Sequence, residues 1–172
     1  MANTGNTTDK HLDDWLRDAH AMEQQAETML TAMAKRLEHY PDLRQRIEQH
    51  LTETREQSRL IGACLQRRGS DTSSMKDLGA RTSAAMQGFF GMFAPDEVVK
   101  GGIAGYTFEH FEIASYRALI AAAHQAGDAE TAAVCERILP EEIAMADWLE
   151  AHLPAVIAAY LARSQADVEA KR

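Results

Sequence analysis

Long apolar runs are missing from this chain, and no stretch approaches the length a helix needs to cross a bilayer. The opening Met1 to Lys10 is polar and lacks the apolar core of a secretory leader, which predicts a soluble, cytoplasmic protein without a membrane partner. Only four prolines and ten glycines interrupt the 172 residues, too few for the many turns of an all-β fold. Cysteine is scarce as well. Cys64 and Cys135 stand singly in apolar stretches, make no CxxC pair or disulfide framework, and read as small core residues in a reducing compartment. Basic residues are in deficit, 18 against 26 acidic ones for a net charge of −8, which argues against a nucleic-acid partner held by phosphate contacts.

What is present is helical. Ala, Leu, Glu, Gln, Met and Arg dominate, and a chain of this length with 45% hydrophobic residues buries one real core, so the expectation is a single all-α domain. A disordered arm (residues 1–9) precedes a first helix from about Lys10 to His39. Its seam reads either Leu16, Ala19, Glu23, Ala26, Leu30, Met33, Leu37, or Leu12, Trp15, Ala19, Met22, Ala26, Met29, Met33 with Glu23 at the edge. Pro41 suits the first turn of a second helix, whose seam Leu43, Ile47, His50, Thr54, Gln57, Ile61, Cys64 carries three consecutive polar positions, with Glu53 alongside. Gly69 stops it.

Between Gly69 and Gly102 the periodicity breaks into turn-like residues, a short amphipathic stretch from Met75 to Phe90 and the cluster Phe89, Phe90, Met92, Phe93, read as a lid or subunit contact. That length suits a crossover from one end of a bundle to the other. Pro95-Asp96-Glu97 opens a third helix that ends at Gly127, and Asp128 caps a fourth with the seam Cys135, Ile138, Glu142, Met145, Leu149, His152. Pro140 is expected to kink that helix and Pro154 to restart the chain as a separate terminal helix to about Ala166, before a frayed tail (residues 167–172).

The acids have a pattern. Glu109 and Glu112 are three apart and so share a helix face, with Tyr116 a turn further on. Glu23 on the first helix, His50 and Glu53 on the second, and Glu141 or Glu142 on the fourth fall near the middles of their helices. A bundle core that binds two metal ions uses this donor set, glutamates from two helices and acid-with-histidine pairs from the others. Oxygen-rich ligands with imidazole suit divalent iron first, with manganese or zinc as alternatives. The competing reading makes these glutamates solvated edge residues. His11, His20, His39 and His124 have no acidic company in the seams and read as surface residues.

In its Ala21-Met22-Glu23-Gln24-Gln25, His50-Leu51-Thr52-Glu53-Thr54 with Gln57, Glu109-His110-Phe111-Glu112-Ile113-Ala114-Ser115-Tyr116 and Leu139-Pro140-Glu141-Glu142 segments, the chain resembles the YciE/YciF family of ferritin-like bacterial stress proteins. The resemblance implies a ferritin-like four-helix bundle with a long crossover between helices two and three and an additional C-terminal helix. It also implies a homodimer and a dinuclear metal site like that of rubrerythrins, with Glu23, His50, Glu53, Glu109, Glu112 and Glu142 as ligands and Glu141 as substitute. Tyr116 is then the candidate catalytic residue of a di-metal oxidoreductase, peroxidase or ferroxidase in type, that handles dioxygen or peroxide. The alternative is a non-enzymatic dimeric interaction protein whose acid layer is empty or partly occupied, its protonated glutamates satisfied by Thr54, Gln57 and Tyr116.

Overall fold

A computed structural model describes residues 4–70 and 96–166, and every element among them is an α-helix. The helices are α1 (Thr4–Arg36), α2 (Pro41–Arg67), α3 (Glu97–Ala126) and α4 (Ala129–Gln165). Pro41 occupies the first turn of α2, and Tyr40 before it is pushed out of helical geometry, so α1 stops at Arg36 rather than at His39. At the other end α1 begins at Thr4, earlier than the polar composition suggests. Gly69 and Gly127 take the left-handed conformation, with φ of 67° and 72°, and end α2 and α3 as glycine does where a side chain would clash. The Asp128 carboxylate then accepts from the Thr131 amide and caps α4.

Ion pairs fix the direction of each helix. Arg68, just past the end of α2, bonds Asp13 near the start of α1 and Asp128 at the start of α4. Arg36 at the end of α1 pairs with Glu97 at the start of α3. Hence α1 runs antiparallel to both α2 and α3, and α2 antiparallel to α4, while α2 and α3 point the same way. In section α1 packs on α2 and α3, and α4 packs on α3 and α2. The crossover expected between α2 and α3, with the Met75 to Phe90 stretch and the Phe89, Phe90, Met92, Phe93 cluster, lies outside the described residues, as does the expected tail.

Two apolar clusters fill the bundle. One gathers Leu12, Leu16, Ile61, Leu65, Leu119 and Ile138, together with the buried free thiols Cys64 and Cys135. The other gathers Leu37, Tyr40, Leu43, Ile47, Met145 and Leu149. The polar residues of the helix middles lie between them. Where the two readings of the α1 seam diverge, Leu16 is buried and Trp15 is 44% exposed, so the register with Glu23 inside is the one adopted.

The separate terminal helix is not formed: α4 continues through Pro140 and Pro154 to Gln165. Each proline removes one backbone bond, to the carbonyl of Glu136 or Glu150, and both of those residues are exposed, which lowers the cost of the lost bond. Beyond Pro154, Val156 and Tyr160 pack onto the second apolar cluster, and that packing carries the helix on.

Asp128 joins three elements. Its carboxylate accepts from Arg67 at 2.6 Å, Arg68 at 2.7 Å and the Thr131 hydroxyl at 2.8 Å. Partial burial works to raise its pKa, but these bonds outweigh it and hold the carboxyl well below the usual aspartate range. A depressed folded-state pKa contributes stability above the unfolded value of about 3.9 and loses it as pH falls. Asp128→Ala is expected to lower stability by about 1–2 kcal/mol at pH 7, with the gap to the parent narrowing at pH 3. Urea titrations at the two pH values measure this, and an equal gap at both removes the carboxylate from the account.

Candidate metal centre

The three consecutive polar positions of the α2 seam, His50, Thr54 and Gln57, are buried, and Glu23, Glu109, Glu112 and Glu142 are no more than 2% exposed. Helical spacing dictates this. In α3 the steps Phe108, Glu112, Leu119 and Glu109, Tyr116, Ala123 run down the inward face, so the two acids cannot leave the core unless the flanking apolar residues leave with them.

His50, Glu109, Glu112 and Glu142 each bring one donor atom into a cluster whose members all lie within 4.8 Å of one another. Nε2 of His50 is 3.3 Å from Glu109 Oε2 and 3.5 Å from Glu142 Oε2. Its Nδ1 faces the other way, 2.9 Å from Glu53 Oε2. Glu53 is itself fixed by Gln49 at 2.9 Å and Arg46 at 3.2 Å. An imidazole with one nitrogen tied to a carboxylate and the other aimed at acidic oxygens has the orientation that metal-ligating histidines adopt.

Protonation follows from this placement. Burial alone lowers the pKa of His50, but the Glu109 and Glu53 carboxylates overcome it and push the imidazole up to about 10. Glu53, bonded by His50, drops to about 2. Glu23 is raised to about 8, chiefly by burial, with the Tyr116 hydrogen bond and His50 opposing. Glu112 and Glu142 are driven well above the ordinary carboxyl range by burial, with further repulsion from their acidic neighbours. Burial, then the Glu23 carboxylate, raises the Tyr116 phenol.

Five buried carboxylate oxygens, from Glu23, Glu109, Glu112 and Glu142, lack a hydrogen bond of ordinary geometry, and two of them, Glu109 Oε2 and Glu142 Oε2, have only the longer ion-pair approach of His50 Nε2. Buried polar atoms are normally paired, and several unpaired acceptors aimed into one space are the environment a cation completes. The donor set, one imidazole with carboxylates, suits divalent iron, manganese or zinc. The residues present therefore fit a metal ion.

The other candidates surround this group. Glu23 accepts from the Tyr116 hydroxyl and adds its charge to the fields at Glu112 and Glu142. Glu53 lies behind the His50 ring. Of the two candidate glutamates on α4, Glu142 points inward and Glu141, half-buried, accepts from Gln57 Nε2 at 2.9 Å. Thr54 bonds the His50 carbonyl rather than an acid. Two histidines depart from expectation. His20 is half-buried against Gly62, whose lack of a side chain makes room for the ring, with its Nδ1 unpartnered. His152 is exposed instead of in the seam, stacked on Trp148 at 3.9 Å. Arg46 is a residue that the seam pattern misses, and only its seven-residue spacing from Glu53 on one helix face hints at the pair.

The family model for the Domain of unknown function (DUF892) matches residues 7–162. Among solved structures, a protein of Xanthomonas campestris pv. campestris is 46% identical, with 92% of this chain and 99% of that one covered at a TM-score of 0.77. The E. coli stress protein YciF shares the fold at 22% identity and a TM-score of 0.67, with 85% and 94% covered. The Rhodopseudomonas palustris protein YcfI is 25% identical at a TM-score of 0.65, with 87% and 97% covered.

The raised groups set a pH dependence. For His50 and Glu23 the folded-state values, about 10 and about 8, lie above the ordinary 6.5 and 4.5, so their stabilising protons are lost as pH rises through the folded values. Chelated protein is therefore expected to lose stability steadily from pH 6 to pH 9. Saturating manganese or zinc should flatten or reverse that slope, because metal replaces the protons. Urea midpoints across that range measure both; a chelated protein indifferent to pH refutes the assignment.

Proposed function

This chain belongs to the YciF-like DUF892 family, and on that footing we propose that it is a ferritin-like protein of the bacterial stress response, handling dioxygen or peroxide at two divalent metal ions. The observation that carries the reading is the set of unpaired carboxylate oxygens gathered around an imidazole already oriented from behind. His50, Glu109, Glu112 and Glu142 would hold the metal, joined by Glu23 for a second ion. Bound there, iron supplies one-electron redox chemistry and Lewis acidity toward an oxygen substrate. Glu53 orients His50 and keeps its Nδ1 protonated. Tyr116 holds Glu23 by a hydrogen bond from its hydroxyl and is the group near enough to the layer to donate a hydrogen bond or an electron. The flanking apolar clusters keep bulk water away from it. A homodimer in the cytoplasm, without a nucleic-acid partner, completes the proposal, and the net charge of −8 supports its last part. Among the described residues no helix is long and apolar enough to cross a membrane.

A second reading, a non-enzymatic dimeric bundle with protonated acids, draws on the bonds from Tyr116 to Glu23 and from Gln57 to Glu141. In that case the layer is held by protons alone, and chelators leave thermal stability unchanged.

Elemental analysis of protein purified without added metal separates the two. Glu109→Ala and Glu142→Gln are expected to abolish most bound metal, while Glu141→Gln retains it. Glu53→Gln should weaken metal affinity by about 10–100-fold, the usual effect of losing an orienting partner. Unchanged stoichiometry in Glu109→Ala sinks the metal reading, and equal losses in the Glu141 and Glu142 variants remove the distinction between them.

A further inference from the structure

A hollow of about 20 Å³ lies where the second apolar cluster meets the acid layer, and all four helices contribute to its wall. Met33 of α1, Ile47 of α2, Gly105 of α3 and Leu149 of α4 line it, and among the described residues Glu109 is the one charged group that reaches it. Its size admits one small molecule. Water is stable in such a space only with two to four polar partners, and a single carboxylate falls short of that. Hydrogen peroxide would have to give up most of its hydrogen bonds to enter. An apolar diatomic gas meets neither penalty.

The glycines of α3 point the same way. A Cβ on Gly101 would sit 3.3 Å from Met33 Cε, and one on Gly102 would sit 3.0 Å from Leu153 Cδ1, so close packing accounts for both. At Gly105 the nearest atom to an added Cβ is Leu149 Cδ1 at 3.7 Å, an ordinary contact. Nor does its backbone take the left-handed conformation, which among the described glycines belongs to Gly69 and Gly127. Glycine inside a helix is unfavourable relative to alanine. Neither turn nor packing calls for it at 105. What the missing methyl leaves is the hollow.

From this geometry we infer that the hollow is a gas pocket holding one dioxygen molecule against the Glu109 side of the acid layer. The inference rests on the metal reading above and narrows it, favouring dioxygen over peroxide as the oxidant met from this side. The metal centre draws its small apolar substrate from within the protein, and larger or polar molecules are excluded by size and dryness.

Xenon is the probe, since it fills dry apolar cavities of this kind. Crystals of the full chain, chelated and manganese-loaded, are pressurised with xenon, and metal content is measured on the same preparations. Xenon is expected beside Gly105 and Glu109, absent in Gly105→Ala and increased in Leu30→Ala, which enlarges the same wall. In Gly105→Ala loaded with iron(II), oxidation by dioxygen should slow while oxidation by hydrogen peroxide keeps its rate. No xenon at this place in the parent, or undiminished xenon in Gly105→Ala, overturns the pocket. Equal slowing with both oxidants overturns the assignment of dioxygen. A protein that takes xenon but no metal overturns the metal reading alone, and one that takes metal but no xenon overturns the pocket alone.

Discussion

Four glutamates and one imidazole sit in a single layer with apolar residues above and below it, and the mutual repulsion of those acids is the constraint every other part of the molecule serves. An isolated buried charge costs several kcal/mol even after the protein relaxes around it. Such a layer persists only if protons or cations occupy it. The placement favours protons, since burial raises Glu23, Glu112 and Glu142 and the adjoining carboxylates raise His50. A divalent cation does the same work with fewer particles and leaves the acids ionised.

The supporting structure is arranged outward from this layer. Behind His50 stand Glu53, then Arg46 and Gln49, a chain of polar contacts that leads from a fully buried ring to a partly exposed guanidinium. Across the bundle Tyr116, fully buried in the first apolar cluster, pins Glu23. One side of the layer is thus tied to solvent through a hydrogen-bonded relay, and the other is sealed by aromatic and aliphatic packing. At the ends of the bundle, Asp128 with Arg67 and Arg68, and Arg36 with Glu97, fix the helix directions that let the mid-helix acids meet.

Much of this is legible in the sequence because it is written in spacing. The hairpins follow from Pro41, Gly69, Gly127 and Asp128, residues whose backbone preferences act locally. The polar seam follows from His50, Thr54 and Gln57 falling at core positions. Spacing is silent on which of two adjacent acids turns inward, since Glu141 and Glu142 differ by only 100° on the helix, and tertiary packing decides for Glu142. Local rules also misjudge Pro154: they register the lost backbone bond but not the contacts of Val156 and Tyr160 that carry α4 past it. His20 shows the same limit. Its seclusion depends on Gly62 of a neighbouring helix, a pairing no single-helix pattern contains.

The donors are divided between two hairpins: Glu23 and His50 come from α1 and α2, and Glu109, Glu112 and Glu142 from α3 and α4. Neither half has a workable set. The second hairpin brings three acids to the cluster but no imidazole, which comes from His50 of the first. Only the union of the two hairpins brings the imidazole and these acids into one cluster. A cation held there, as proposed above, would find its full set of donors only where both halves meet in register.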